Sequence, residues 1–395
     1  MSSDSRVTIV QITNKIPHPN ADTLSIVNVL GDYPVVVRTS DYQIGDLAVY
    51  VPVDMICPAL PAFAFLGARE KDRHVKAKRL RGIFSMGLLV PAKNLPVVML
   101  EQDLPKFMSE DDFKTLVLIP TGSEIEAPIL TARAEGKVSE RGHFLGMDLT
   151  EALNFAKYEP PILTRRHAGG AGGSYADGVP EHGISDRVLP KYTDIENVRR
   201  WPEALVEGEE VIMNEKVHGA NARFTFSNGR LYVGSRTTFR KPDGPGLWCD
   251  VARKYDLATI LSYVPDLALY GEVYGYVQDL RYGLGTDQDL VIFDAMDTRT
   301  GSYYAWDQVV AFVEHLNSFL PENAPKLKTV PVLYRGPWQG RNAHKHLAEG
   351  LSVIGAGACI REGAVIRPAT ERFTDRLGRT ILKMVGENYL TRKSS

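Results

Sequence analysis

The chain has 395 residues, 44% of them hydrophobic and 24% charged, with a formal net charge of -2. That length exceeds one ordinary core and implies two or three domains, while the near-balance of charge excludes a nucleic-acid surface spread over the whole molecule and leaves only a local patch. Cys57, Cys249 and Cys359 are too few and too widely separated for a disulfide framework or a zinc spacing. No apolar run approaches membrane-spanning length and Met1 to Arg6 lacks a signal-peptide core, so a soluble, cytoplasmic protein is expected.

From Val7 to about Leu95 the sequence alternates short β-type runs with turn residues: Val7–Ile12, Leu24–Leu30, Pro34–Arg38, Ala48–Pro52 and Gly87–Pro91. Five strands at this spacing predict a small all-β barrel over residues 1–100. Between them, Arg69 to Arg81 carries seven cations against Glu70 and Asp72. Lys76, Lys78, Arg79 and Arg81 are the candidate contacts to a phosphate backbone, with Phe84 as a stacking partner; a solvated loop is the alternative. Residues 101–185 read as a connector, helical around Ser109–Leu118 and Leu149–Ala156, that loosens into the glycine-rich linker Ala168–Gly178.

Residues 186–395 hold the chemistry. Asn214-Glu215-Lys216-Val217-His218-Gly219-Ala220-Asn221 sets a lysine and a glycine between two predicted strands, a spacing that lets a phosphate approach the amine. Downstream, in order, come Gly234-Ser235-Arg236, Leu269-Tyr270-Gly271-Glu272-Val273-Tyr274-Gly275, Leu290 to Met296 with Phe293 inside it, Glu362-Gly363 to Arg367-Pro368, and Ile381-Leu382-Lys383-Met384.

This ordered series resembles motifs I, Ia, III, IIIa, IV and V of the covalent nucleotidyltransferases, which include polynucleotide ligases and mRNA capping enzymes. Glu215, His218 and the upstream phrase Lys191 to Asn197 bring it closest to the RNA ligase 2 type. The N-terminal phrases Pro17 to Asp22, Tyr42 to Tyr50 and Leu80 to Leu89 resemble the OB-fold of tRNA-binding modules and certain RNA ligases, so the whole architecture resembles the Deinococcus-type and Naegleria-type RNA ligases. The implied fold is α+β: an ATP-grasp-like nucleotidyltransferase of antiparallel sheets with helices, preceded by the OB barrel.

The resemblance implies an ATP-dependent RNA ligase that seals 3′-OH and 5′-phosphate ends through lysyl-AMP and adenylylated RNA. Lys216 would be the nucleophile. A free lysine titrates near about 10.4, so it must be desolvated or set near positive charge before it attacks. Glu272 and Glu362 would hold Mg²⁺ or Mn²⁺, through water where needed. Their flanking glycines, Gly271 and Gly363, are expected to admit the ligand. Arg236 and Asn221 would hold α-phosphate and ribose, His218 the phosphates, and Phe293 the adenine. Glu215 and Val217 flank the nucleotide. Lys383 would meet the triphosphate; related ligases often have Lys-x-Lys, but Val385 stands at the second position, and Arg367 is a candidate replacement for that charge. Only twelve residues follow Lys383, which leaves no room in this sequence for the further OB domain of DNA ligases and capping enzymes. A capping-type guanylyltransferase and a non-catalytic RNA-binding protein are the alternatives. RNA is the expected partner, with no membrane, no obligate protein partner and a monomeric state.

Overall fold

The computed structural model describes residues 5–95, 145–159 and 178–392. The chain divides into two compact units: Met1–Glu159 with Arg199–Trp201, and Pro160–Val198 with Pro202–Ser395. The expected helix at Ser109–Leu118 and the glycine-rich run before Gly178 lie outside the described residues.

All five strands expected in the first unit are present. In chain order its strands are β1 (Thr8–Gln11), β2 (Ile16–Pro17), β3 (Leu24–Val29), β4 (Tyr33–Arg38), β5 (Leu47–Val51), β6 (Met55–Ile56), β7 (Lys78–Leu80), β8 (Ile83–Ser85), β9 (Leu88–Pro91) and β10 (Ala156–Lys157). They form the ladders β1-β5-β9 and β2-β3-β4, with the short pairs β7-β8 and β6-β10. Alternate residues of β3 and β4 are buried, as one-sided strands require.

Leu149–Ala156 is not helical. Leu153 N–H bonds Leu149 O in a single turn, Asn154 takes φ 57°, and the chain then enters β10. The cause is tertiary: Met147, Leu149, Leu153 and Phe155 are all drawn into the core built by Val49, Val51, Met55 and Phe63. Phe84 is also unlike the expectation, since it is 6% exposed and faces inward, with the Arg79 guanidinium over its ring. It is not available to stack on a base.

The second unit contains, in chain order, β11 (Glu196–Asn197), β12 (Glu210–Lys216), β13 (Ala220–Ser227), β14 (Arg230–Ser235), β15 (Phe239–Arg240), helices α1 (Leu247–Lys254) and α2 (Leu257–Ser262), β16 (Leu267–Gly275), β17 (Gln288–Asp297), β18 (Ser302–Tyr303), α3 (Trp306–Ser318), β19 (Lys328–Thr329), β20 (Val332–Pro337), α4 (Arg341–His344), β21 (Gly363–Pro368), β22 (Phe373–Thr374), β23 (Gly378–Arg379), β24 (Leu382–Val385) and α5 (Glu387–Leu390). One sheet runs β11-β24-β21-β12-β20; another runs β15-β14-β13-β16-β17-β18, with β19 also on β17. The α+β class is therefore observed. In α3, Trp306, Val309, Val313 and Leu316 fall three or four apart, so one helical face enters the core shared with α1, α2 and the longer sheet.

The chain crosses between the sheets at Val217 to Gly219, directly after Lys216. A Cβ on Gly219 would lie 2.1 Å from Val273 O, so only glycine lets β12 pass into β13 beside β16.

Candidate active site

β12 is buried along Val211 to Glu215 and is flanked by β20 and β21, which fixes the position of Lys216 at its end. The Lys216 Nζ donates to Glu362 Oε1 at 2.7 Å. Glu362 precedes β21, whose Gly363 is paired with Lys216 across the sheet. From the other sheet, Glu272 on β16 is paired with Asn221 on β13. Burial pushes the Glu272 carboxyl up to about 8, against the lowering effect of Lys216; Glu362 raises it further, and the Gly219 N–H and Arg236 lower it. Lys216, Glu272, Glu362 and Arg236 thus share one electrostatic neighbourhood where the two sheets meet.

His218 completes this cluster. The residue is 7% exposed, with Nε2 2.7 Å from Asp279 Oδ1, Nδ1 2.9 Å from the Tyr389 hydroxyl and Nδ1 4.0 Å from Glu362 Oε2. The His218 N–H donates to the Tyr282 hydroxyl at 2.6 Å. The hydrogen bond from His218, with the Arg392 guanidinium, holds the Asp279 carboxyl well below the usual carboxylate range despite its burial.

Several polar atoms here are buried without a hydrogen-bond partner: Glu362 Oε2, Asn221 Oδ1, and both Oδ1 and Nδ2 of Asn214. Such atoms are costly unless a ligand meets them. Asn214 opens the phrase that carries Lys216 but receives no role from the sequence, although an amide following Val211-Ile212-Met213 is a visible signal.

Phe293 occupies a β-bulge, because the β16–β17 register passes from Tyr270 opposite Asp294 to Gly271 opposite Ile292. Its ring meets Tyr192 edge-on, with centroids 4.9 Å apart. Lys383 lies on β24 opposite Val365, on the same ladder that pairs Gly363 with Val385. Arg236 is exposed and ion-paired to Asp194.

Four expectations are corrected by the structure. Arg367 is 1% exposed, bonded to Phe293 O and ion-paired to Asp294 at 3.3 Å, so its charge is spent in the core rather than replacing a cation at position 385. Glu215 faces away from Lys216, because neighbours on a strand point to opposite sides, and its Oε2 accepts the Val353 N–H at 2.8 Å. The Val217 side chain is packed in the hydrophobic core. Gly271 and Gly363 make room for protein: a Cβ at either would meet Val291 O at 2.7 Å or Met384 O at 2.2 Å, respectively.

Residues 209–385 match the RNA ligase family model, and residues 6–92 match an OB-fold domain model. No curated protein sequence matches the chain significantly. Solved structures of an RNA ligase from Naegleria gruberi share the fold at 20% identity. A mutant with AMP and Mn aligns with a TM-score of 0.72 over 98% of this chain and 98% of that one. A mutant with ATP and Mn aligns with a TM-score of 0.71 over 97% and 98%, respectively. An apo mutant gives 0.72 over 98% and 97%. The lysine, the carboxylates and the fold that brings them together thus sit inside a recognised stretch: residues 209–385 form a domain of the RNA ligase family, with an OB-fold domain ahead of it.

Proposed function

We propose that this RNA ligase is ATP-dependent and works through a covalent adenylate on Lys216. The observation that carries the reading is the 2.7 Å contact of Lys216 Nζ with Glu362, beside a desolvated Glu272, in a cluster that buries unpartnered polar atoms. After the ammonium gives up a proton, the Lys216 nitrogen attacks the α-phosphorus of ATP. A P–N bond forms, the bond to the bridging oxygen breaks, and pyrophosphate leaves. An oxygen of the RNA 5′-phosphate then displaces Lys216 from AMP, and the 3′-hydroxyl displaces AMP from the activated end. Dividing the condensation this way replaces one difficult step with activated ones.

Glu272 and Glu362 would hold a divalent cation, Mg²⁺ or Mn²⁺. Among the described residues no group of three or more His, Cys, Asp or Glu side chains forms a metal cage, which suits a hydrated ion bound partly through water and phosphate. When bound, such an ion supplies positive charge that favours a neutral Lys216 amine and offsets charge on the phosphate. Arg236, exposed and paired with Asp194, would meet a phosphate by exchanging that partner. Phe293 is assigned to the adenine face and Asn221 to the ribose. Lys383 is assigned to the triphosphate.

Incubation with α-labelled ATP and a divalent metal, followed by denaturing electrophoresis, tests the reading. The native chain should acquire an acid-labile label and Lys216→Ala should not. Labelling by GTP in place of ATP, or persistent labelling of the variant, would overturn it.

A further inference from the structure

We infer that the segment Glu387–Arg392 is part of the adenylylation site, with Tyr389, Asp279 and Arg392 acting as positioning residues for His218. This rests on the proposed chemistry at Lys216 and adds residues that lie outside the motif series.

Asp279 Oδ1 accepts from His218 Nε2 at 2.7 Å and from Arg392 Nη2 at 3.1 Å, while its Oδ2 accepts from Arg392 Nε at 2.8 Å. An ionised carboxylate can only accept, so the Nε2 hydrogen points at Asp279. In the neutral ring Nδ1 is then an acceptor, and the Tyr389 hydroxyl, 2.9 Å away, is its donor. Both ring nitrogens are therefore occupied from outside the segment that carries His218, and rotation of the ring would break both bonds.

The fixing groups are themselves held. Arg392 lies 3.7 Å over the Tyr389 ring, so a single guanidinium braces both partners of the imidazole. The start of the segment is tied down as well, because the N–H of Glu387 donates to Glu349 at 2.6 Å. The ring so fixed stands 4.0 Å from Glu362 Oε2, whose other oxygen contacts Lys216. A path of contacts runs from Arg392 through Asp279 and His218 to Glu362 and the nucleophile. Removing an outer member lets the ring turn and alters how Glu362 meets Lys216, a misplacement that costs rate more than ATP affinity.

A double-mutant cycle on single-turnover labelling with α-labelled ATP decides the matter, with thermal melting recorded for each variant. Tyr389→Phe and Asp279→Ala should each lower the maximal labelling rate about ten- to a hundredfold, with the ATP concentration for half-maximal rate changed less than about twofold. In the His218→Ala background the same substitutions should cost less than about twofold more, because the residue through which they act is gone. Asp279→Asn, whose Oδ1 still accepts from Nε2, should recover most of the lost rate. Tyr389→Phe removes one oxygen and keeps the ring beneath Arg392, so it carries the test if Asp279→Ala does not fold. Losses that add in the His218→Ala background, or lowered melting with an unchanged rate, would overturn the inference. A native chain that takes no label from ATP overturns the proposed function as well, which separates the two failures.

Discussion

The Lys216 Nζ donates to the Glu362 Oε1 at 2.7 Å, so the amine proposed as nucleophile is held in an ion pair with that carboxylate. An ion pair stabilises the protonated lysine and removes the lone pair that attack requires. The same Glu362 has its second oxygen buried without a hydrogen-bond partner. A cation bound there would draw the carboxylate away from Lys216 and satisfy that oxygen together.

Glu362→Gln keeps the shape and removes the charge. The expected result is labelling reduced by about tenfold or more, with more metal needed for half-maximal rate, because the carboxylate that held the cation is gone. Labelling measured across a titration of Mg²⁺ or Mn²⁺ checks this. Unchanged rate at low metal would return Glu362 to a purely structural ion pair.

Lys216, His218, Glu272 and Glu362 were legible in the sequence because each sits in a short phrase whose spacing is itself a signal. Asp279 and Tyr389 were not: they reach His218 from 61 and 171 residues away, in stretches with no pattern of their own. Arg367 was visible as a cation but not as a buried one, since burial depends on Asp294 arriving from β17. The five longer strands of the first unit were legible as short β-type runs set between turn residues; the shorter β2, β6, β7, β8 and β10 were not. The turn at Leu149–Ala156 was not, because its apolar spacing also suits a helix and the choice is made by the core it plugs.

Val385 stands beside Gly363 on the next strand, and Gly363 in turn stands beside Lys216. Neighbouring strands are about 4.8 Å apart, so position 385 lies about 10 Å from Lys216 across the sheet, within reach of a lysine side chain. Val385→Lys should lower the ATP concentration for half-maximal labelling about two- to tenfold, since a second cation would meet the triphosphate. Rate against ATP concentration reads the effect; an unchanged half-maximal concentration would show that a cation at this position does not meet the nucleotide.

Asp294 is wholly buried and is met by Arg379 at 2.6 Å, Arg367 at 3.3 Å and the Tyr192 hydroxyl at 2.6 Å. Burial raises its pKa, but the two guanidinium groups outweigh that effect and leave the carboxyl below its ordinary value of 3.8. A folded-state pKa below the unfolded one means that the unfolded chain takes up the proton first. The stability this group contributes is present above the unfolded value near 3.8 and is lost as pH falls through the lower folded value. Asp294→Asn leaves Arg367 and Arg379 without their shared anion and should cost about 3–5 kcal/mol near neutrality. Thermal melts from neutral to acid pH should show the native chain losing stability below the carboxylate range and the variant losing less over the same interval. Parallel curves would mean that the cluster does not couple folding to this proton.

Three exposed cations of the first unit, Lys78, Arg79 and Arg81, lie on one hairpin. It is formed by β7 and β8, and its turn residues, Arg81 and Gly82, have φ 47° and 89°, the left-handed pair that a tight two-residue turn requires. The hairpin is fastened to its own unit by the Asn20 side chain, which donates to Arg81 O at 3.1 Å, and by Ser85, whose hydroxyl accepts the Val36 N–H at 3.0 Å. Lys78, Arg79 and Arg81 are exposed along it and Lys76 just ahead of it; of the rest of the basic run Lys71 is exposed too, whereas Arg69 is paired with Asp72 and Arg73 is bonded to the carbonyls of Cys57 and Ala68. The candidate phosphate track is therefore narrower than the basic run suggests. Lys78→Ala with Arg81→Asn removes two charges while keeping a residue that tolerates the left-handed turn. Labelling by ATP should stay within about twofold, since these residues are assigned to nucleic acid. Sealing should weaken severalfold, and its dependence on log salt should become shallower by about 0.7–0.9 for each phosphate no longer neutralised. Sealing assays at low and moderate salt measure both quantities, and equal sealing with an unchanged salt slope would show the hairpin to be a solvated loop.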